Sequence, residues 1–175
     1  KGIDCWTVGK LSLLPDTESK RTTTNTNLQL VTAGSRLYLS DGDALKYTTD
    51  LSTWADAGVT TAVASVASDG YTTWAAVPGG VYAITNDDDA VGDAAYNALV
   101  PDLLGYCKGR LMAAVSNAIY NIVSGSTPDA LFTHDNTDWV WVGFCSGDTC
   151  IYAAGYSGDY SAVYRIPIKA DGTGL

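Results

Sequence analysis

The sequence predicts an all-β protein whose short strands form a series of similar antiparallel sheets. The 175 residues include 11 Tyr, 5 Trp and 18 Gly, and aromatic residues favour strands while glycine favours tight turns. A pattern of strand, glycine turn and strand recurs four times, with marker glycines at Gly34, Gly70, Gly109 and Gly147. Steps of this size are close to the roughly 40–50 residues of a β-propeller blade. The prediction is therefore part of a β-propeller, with about three and a half to four blades present.

The elements follow in chain order. Residues 1–27 are predicted to be an irregular segment, or the end of a preceding element, because they are rich in Thr, Asn, Ser and charge. The blades are predicted at 28–62, 63–103, 104–140 and 141–175. Each blade has two strands joined by the glycine turn, and a third strand with a tyrosine expected at an equivalent position: Tyr47, Tyr82, Tyr120 or Tyr164.

Two blades depart from this plan. In the second, residues 93–99 are expected to form a short helix or an irregular loop. The fourth ends after its third strand, which predicts a larger ring completed by residues beyond this chain. A small ring, or a ring closed by oligomerisation, is the alternative.

A short motif occurs twice, at 47–54 and 132–139. Both copies read aromatic, Thr, any residue, Asp, two residues, a polar residue and Trp. Thr and Asp side chains can bond the backbone N–H groups of a tight turn, and the Trp can cover that turn. We predict turns from the third to the fourth strand of a blade, with structural and not chemical roles for Thr48, Asp50, Trp54, Thr133, Asp135 and Trp139.

The motif resembles the Asp box of sialidase-type β-propellers, roughly Ser-x-Asp-x-Gly-x-Thr-Trp. The two copies match its ends at Thr48, Asp50, Thr53, Trp54, Thr133, Asp135 and Trp139. Both are one residue shorter and lack the central Gly, and the second has Asp138 where Thr is usual. The resemblance implies a propeller fold and says little about function.

The charge balance argues against nucleic-acid and membrane partners. The net charge is −9, from 19 acidic and 10 basic residues, whereas nucleic-acid binding needs clustered positive charge. No apolar run approaches the roughly 18–20 residues of a membrane span, so membrane insertion is not expected.

The cysteines predict neither a metal site nor a cofactor. None of Cys5, Cys107, Cys145 and Cys150 forms a Cys-x-x-Cys pair. Cys145 and Cys150 flank a predicted hairpin turn and can be joined by a disulfide across it. Alternatively, Cys107 and Cys145 are small buried apolar residues at equivalent repeat positions. The run 87–89, three Asp residues, offers oxygen ligands for Ca²⁺ but lacks EF-hand spacing, so a solvated acidic loop is favoured.

No catalytic set is predicted. His134, the only histidine, occupies a variable position of the second motif and is expected to point to solvent. Residues 164–167, Tyr-Arg-Ile-Pro, are similar to the Arg-Ile-Pro motif of sialidases, where the Arg helps bind the substrate carboxylate. Here Arg165 follows the Asp boxes instead of preceding them, and Glu18, the only Glu, lies in the irregular N-terminal segment. The chain is therefore expected not to be an enzyme.

The composition and repeat pattern of residues 28–175 are similar to those of propeller regions in minor tail proteins of bacteriophages. The shared features are degenerate Asp boxes, repeats rich in Thr, Ala and Gly, and few charges besides Asp. This resemblance implies a non-enzymatic structural and binding module of a virion tail, or of another extracellular assembly. Its partners would be other structural proteins of the assembly and a host-surface protein or glycan. A sialidase-type glycoside hydrolase and a secreted propeller that binds protein or glycan are the alternatives.

Overall fold

The computed structural model describes residues 3–4, 12–13, 29–41, 43–59, 61–85, 91–96, 99–122 and 130–169. Within these ranges the chain forms strands and turns, and no helix occurs. The described part of the chain thus has no helix long and apolar enough to cross a membrane. The all-β prediction is confirmed.

The strands form one short hairpin and four larger antiparallel sheets. The hairpin pairs β1 (Ile3–Asp4) with β2 (Ser12–Leu13). Sheet 1 contains β3 (Gln29–Ala33), β4 (Arg36–Ser40), β5 (Leu45–Thr48) and β6 (Ala55–Asp56). Sheet 2 contains β7 (Ser65–Ser68), β8 (Thr72–Val77), β9 (Gly80–Thr85) and β10 (Val91–Tyr96). Sheet 3 contains β11 (Leu103–Cys107), β12 (Arg110–Val115), β13 (Ala118–Ile122) and β14 (Ala130–Thr133). Sheet 4 contains β15 (Val140–Ser146), β16 (Cys150–Ser157) and β17 (Tyr160–Pro167).

Each sheet is a simple meander, because every strand pairs with the strand that precedes it in the same sheet. Tight turns join the consecutive strands of a sheet. Lys108 and Gly109, which join β11 to β12, have φ angles of 52° and 73°, and two consecutive positive φ angles match the right-handed twist of a hairpin. The first strands of successive sheets lie next to one another, β3 beside β7, β7 beside β11 and β11 beside β15.

Three apolar clusters fill the spaces between successive sheets. In each space, the forward face of one sheet packs against the rear face of the next. The forward faces include Tyr38 and Leu45 in sheet 1, Ala76 and Val81 in sheet 2, and Met112 and Ile119 in sheet 3. The rear faces include Ala75 and Ile84 in sheet 2, Leu111 and Ala113 in sheet 3, and Ile151 and Ala153 in sheet 4. Successive side chains of a strand alternate between the two faces of its sheet. Ala75 therefore packs between sheets 1 and 2, while Ala76 packs between sheets 2 and 3.

Polar bonds also join the first strands. The Ser65 hydroxyl donates to the Gln29 side-chain oxygen at 3.0 Å and accepts from the Leu104 backbone N–H at 2.9 Å. The same Gln29 oxygen accepts from the Val66 backbone N–H at 2.8 Å. Ser65 is fully buried, so these bonds satisfy a hydroxyl that would otherwise be costly to bury. Sheets 1, 2 and 3 are thereby held in register at their first strands.

The predicted equivalence of four tyrosines was wrong for one of them. Tyr82, Tyr120 and Tyr164 lie opposite alanines of the preceding strand on the rear face: Ala75, Ala113 and Ala153. Tyr47 instead lies opposite Tyr38, on the forward face, and Lys46 takes the tyrosine position. The shift of one residue moves the side chain to the other face of the sheet.

Two other expectations were wrong. Residues 91–96 form β10, and not the expected helix or loop, because pairing with β9 through two register shifts overrides the local helix preference of alanine. The second motif does not lead to the fourth strand of its sheet. That strand is β14, which ends at Thr133, and residues 140–146 form the first strand of sheet 4.

Candidate functional site

The first motif turn lies between β5 and β6 and is fastened by two side-chain oxygens. Thr48 Oγ1 accepts from the backbone N–H groups of Asp50 and Leu51 at 3.3 and 2.9 Å. Asp50 Oδ1 accepts from the N–H groups of Ser52 and Thr53, both at 2.8 Å. Leu51 has a φ of 60°, a conformation that costs a branched side chain energy and that these bonds hold in place. The side chains therefore act on the backbone of the turn.

The same bonds set the charge state of Asp50. The backbone N–H of Thr53, and then that of Ser52, stabilise the carboxylate and lower the pKa of Asp50 below its ordinary value. Asp50 is thus committed to the negative form at neutral pH and is fixed in the turn. This chemistry suits a turn anchor and not a proton donor.

The second motif turn lies between β14 and β15, so it connects sheet 3 to sheet 4. Different atoms fasten it. His134 Nδ1 accepts from the Asn136 backbone N–H at 3.0 Å, and Asn136 Oδ1 accepts from the Asp138 N–H at 2.9 Å. The hydroxyl of Thr133 and the carboxylate of Asp135 make no hydrogen bond within the described part of the chain. In this second turn the side-chain bonds come from His134 and Asn136, which each follow a residue that matches the Asp box.

His134 lies inside an aromatic cluster and does not point to solvent as expected. Its ring stacks on Trp139 with a centroid distance of 4.2 Å and an interplanar angle of 7°. Its Nε2 is 2.8 Å from the Tyr164 hydroxyl, and the edges of Trp141 and Phe132 complete the cluster. Because Nδ1 accepts a backbone N–H, the imidazole is held as the tautomer that donates from Nε2. His134 therefore joins the turn to β17.

Trp139 anchors this cluster beneath the second turn. It is 1% exposed, whereas Trp54 of the first motif is half-buried. The indole fits against Gly155, where an added Cβ would lie 2.2 Å from Trp139 Nε1 and 2.7 Å from the Val140 carbonyl oxygen. Only glycine leaves room for the ring at this position of β16. The cluster packs sheets 3 and 4 together.

Arg165 is separated from these residues. It lies opposite Tyr152 on the forward face of sheet 4, while Tyr164 and His134 lie on the rear side. Its Nη2 atom is 3.4 Å from the Thr149 hydroxyl, and both side chains are exposed. Among the described residues no group of three His, Cys, Asp or Glu is placed to hold a metal ion. Glu18 and the acidic run 87–89 lie outside the described residues.

The three described cysteines are free thiols. Cys145 lies opposite Tyr152 and not opposite Cys150, which explains why the hairpin does not align the two thiols for a disulfide. Cys107 is buried, and burial raises the pKa of its thiol. Cys145 is exposed, so the alternative that it is buried at a position equivalent to Cys107 was wrong. Cys5 lies outside the described residues.

The forward face of sheet 4 is a feature that the sequence analysis missed. Val163 is 67% exposed, while the equivalent side chains in sheets 1 to 3 are all 0% exposed: Leu45, Val81 and Ile119. Tyr152 is also exposed, while its equivalents Tyr38 and Met112 are fully buried and Trp74 is half-buried. With Val142, Tyr156 and Ser161, Val163 lines an open groove. The repeat itself carried the signal, because it shows which alternate positions of the second and third strands face the next sheet.

The pKa of Tyr152 is raised on this face, chiefly by its hydrogen bond with the Cys150 side chain and by the proximity of that thiol. Tyr152 therefore stays a neutral phenol at physiological pH. Tyr156 is a second exposed ring on this face, whereas Tyr160 is exposed on the rear side, where its ring centroid lies 5.8 Å from that of Trp139.

Comparisons with known proteins agree with the fold and go no further. No family model matches this chain, and no curated protein matches it in sequence. Among solved structures it is similar to part of PorZ, an essential bacterial surface component of the type-IX secretion system of Porphyromonas gingivalis, at 17% identity with a TM-score of 0.52. It is also similar to part of hydrazine synthase of Kuenenia stuttgartiensis, at 10% identity with a TM-score of 0.50.

The chain spans less than two thirds of the length of PorZ and of hydrazine synthase. The PorZ likeness covers 81% of this chain and 21% of that chain, and the hydrazine synthase likeness covers 85% and 53%. A computationally designed protein, Ika4, is similar over 86% of this chain and 99% of its own, at 11% identity with a TM-score of 0.49. At these identities the similarity concerns the all-β fold and not activity.

Proposed function

We propose that this chain is a β-propeller module with a structural and binding role, without catalytic activity, in an extracellular assembly. The observation that carries the proposal is the succession of similar meander sheets whose first strands adjoin in chain order. Radial repetition of such sheets around a channel is the arrangement of a propeller. Four sheets with an open forward face at sheet 4 make this chain a part of the ring.

The placement of polar groups supports a scaffold. Thr48 and Asp50 bond the backbone of a turn, and His134 bonds a turn and a neighbouring tyrosine. Arg165 lies on the opposite face of its sheet from His134. A catalytic site needs such groups to converge on one reacting atom, and these groups diverge. We therefore assign them to stability.

The assembly that we propose is a bacteriophage tail, with this chain near the tail tip. The support is the composition of the repeats, which contain degenerate Asp boxes and few charged residues besides Asp. The partners would then be other structural proteins of the tail and a host-surface protein or glycan. This part of the proposal concerns location and is tested separately from the fold.

Immunogold electron microscopy tests the location. Antibodies raised against the chain are applied to particles and cell envelopes from a culture of the source organism, with pre-immune serum as the control. We expect gold on the tails of virus particles, clustered at one end. Gold on cell surfaces or on free rings contradicts a tail protein and favours a secreted binding module.

Glycan binding is a second candidate, favoured by the exposed rings of Tyr152 and Tyr156 on one face of sheet 4, since aromatic rings stack on sugar faces. A glycan array probed with the labelled chain and with Tyr156→Ala tests it. Tyr71→Ala, another exposed tyrosine but on sheet 2, is the matched control. Binding that only Tyr156→Ala weakens supports this candidate, and absence of binding rejects it. Hydrolysis of a sialoside that Arg165→Ala abolishes contradicts a non-enzymatic role.

A further inference from the structure

We infer that the second motif turn is an acid-sensitive switch, in which protonation of His134 releases residues 135–138 while the imidazole ring keeps its place. This inference goes beyond the proposed function and does not depend on the propeller arrangement. It rests on three different contacts of one side chain. His134 Nδ1 accepts from the Asn136 backbone N–H at 3.0 Å, its Nε2 lies 2.8 Å from the Tyr164 hydroxyl, and its ring stacks on Trp139.

Only one of these contacts requires a neutral ring. A neutral imidazole has one acceptor nitrogen, whereas both nitrogens of an imidazolium are donors. Once Nδ1 carries a proton, it can no longer accept from the Asn136 N–H, and two N–H groups then face each other. His134 is half-buried, so solvent can deliver the proton. Histidine side chains ordinarily change charge between about pH 5 and 8, which makes mild acid the trigger.

The other two contacts persist when the ring is charged. Nε2 carries a hydrogen in both forms, so its bond to the Tyr164 oxygen remains. The ring centroids of His134 and Trp139 are 4.2 Å apart, and an indole face attracts a cation at this distance. The His134 backbone is fixed as well, because its N–H donates to the Asn117 carbonyl oxygen at 3.0 Å and its carbonyl oxygen accepts from the Asn117 side chain at 2.6 Å. The bond to Asn136 is therefore the one that breaks.

The released part of the chain is short. It lies between His134, which is fixed, and Trp139, which is buried. Within it, the Asn136 carboxamide accepts from the Asp138 N–H at 2.9 Å and donates to the Ser157 hydroxyl at 3.0 Å. Asn136 is exposed, so water can replace the lost partner of its N–H at low cost. Protonation therefore changes the link between this turn and the β16–β17 hairpin without unfolding the sheets.

The charged groups on the surrounding elements favour the protonated ring. They are carboxylates in three neighbouring turns: Asp135 and Asp138 in the motif turn, Asp102 beside the β12–β13 turn, and Asp159 in the β16–β17 turn. The phenols of Tyr160 and Tyr164 on β17 carry no positive charge. Arg165 lies on the opposite face of sheet 4, and Arg110 lies at the other end of β12. Among the described residues, no Lys or Arg on these elements thus opposes the uptake of a proton by His134.

The first motif turn provides a control within the same molecule. Its N–H groups of Ser52 and Thr53 donate to the Asp50 carboxylate. The bonds from these N–H groups lower the pKa of Asp50, so this acceptor stays negative in mild acid. The two turns therefore differ in the pH range in which they lose an acceptor.

Two-dimensional proton–nitrogen NMR of the whole chain from about pH 8 to about pH 5 tests the inference. We expect the Asn136 amide signal to shift together with the His134 ring signals, and its protection from hydrogen exchange to fall about 2- to 10-fold. The Ser52 and Thr53 amides should keep their protection, and contacts between ring protons of His134 and Trp139 should persist in acid. His134→Asn is the matched variant, because its carboxamide oxygen can accept the same N–H but does not titrate. Its Asn136 amide should not respond to pH.

A His134 ring that titrates without a change at the Asn136 amide overturns the inference, and so does a ring that stays neutral over the whole range. A response that persists in His134→Asn also overturns it, because the neighbouring carboxylates then cause the effect. Loss of the contacts with Trp139, or a parallel change in the first turn, contradicts a local release. If His134→Asn does not fold, Tyr164→Phe replaces it. This variant keeps the Nδ1 bond and should respond like the unmodified chain, whereas an unresponsive Asn136 amide overturns the inference.

Discussion

The two motif turns share a sequence pattern but differ in position and in the atoms that fasten them. The first connects two strands within sheet 1 and uses Thr48 and Asp50. The second connects sheet 3 to sheet 4 and uses His134 and Asn136. Its Trp139 is buried among four other rings, while Trp54 is half-buried.

The difference shows that the motif specifies a local turn and not the place of that turn in the fold. In the first turn the Thr and Asp side chains of the motif bond the backbone. In the second the main contacts are ring packing between sheets 3 and 4, because the turn connects these two sheets. Each of the following predictions contrasts one residue with its counterpart.

The largest effect is expected from the two tryptophans. Trp139→Ala should lower the free energy of unfolding by about 3–5 kcal/mol, as typical for truncating a buried aromatic side chain. Trp54→Ala should cost less because Trp54 is only half-buried. Urea unfolding followed by circular dichroism measures both. Equal losses would mean that the second turn has no special role between sheets; Trp139→Phe provides a milder variant if the alanine variant does not fold.

Gly155 gives the next effect through the same indole. Gly155→Ala should cost about 1–3 kcal/mol, because the new methyl group overpacks against Trp139 and a backbone carbonyl. Gly143→Ala is the matched control in β15, where an added Cβ meets nothing within 4 Å. Thermal unfolding of the pair compares them. A Gly155→Ala protein as stable as the control would refute the close fit of ring and glycine.

The two threonines test the hydrogen bonds of the turns. Thr48→Val should cost about 1–2 kcal/mol, because it removes a buried acceptor of two backbone N–H bonds. Thr133→Val should change the stability by less than about 0.5 kcal/mol, since its exposed hydroxyl bonds nothing in the described part of the chain. Chemical unfolding at neutral pH measures the difference. A larger loss at Thr133 would reverse the assignment of roles.

The smallest effect concerns acid. The pKa of Asp50 is lowered in the folded chain, so its contribution to stability is present above the ordinary pKa and is lost as the pH falls through the folded value. Below roughly pH 4, Asp50→Asn should therefore lose less stability than the unmodified chain. Unfolding midpoints measured from neutral pH to pH 3 decide this; parallel curves for Asp50→Asn would contradict it.

Most of the strand pattern could be predicted from alternation and turn residues. β4, β8, β12 and β16 follow glycine or polar turns and carry apolar side chains on both faces, as sheets covered on two sides require. The fourth strands were harder to place. Residues 91–96 and 130–133 owe their pairing to the neighbouring strand, and their own composition gives little sign of it.

The aromatic cluster was hidden for a different reason. The motif gives His134 a variable position, but Phe132 and His134 are two residues apart, which is the spacing of one strand face. The contact with Tyr164 joins residues 30 positions apart and depends on how sheet 4 packs against sheet 3. For the open face of sheet 4, the repeat indicates that Val163 and Ile119 are equivalent, but only the structure shows that Ile119 is covered and Val163 is not.

Electron microscopy of particles that contain this chain tests the central claim most directly. The claim is that these sheets are blades of a propeller. We predict class averages that show the sheets arranged radially around a central channel. Particles without a channel, formed by four sheets packed as a sandwich, would contradict it.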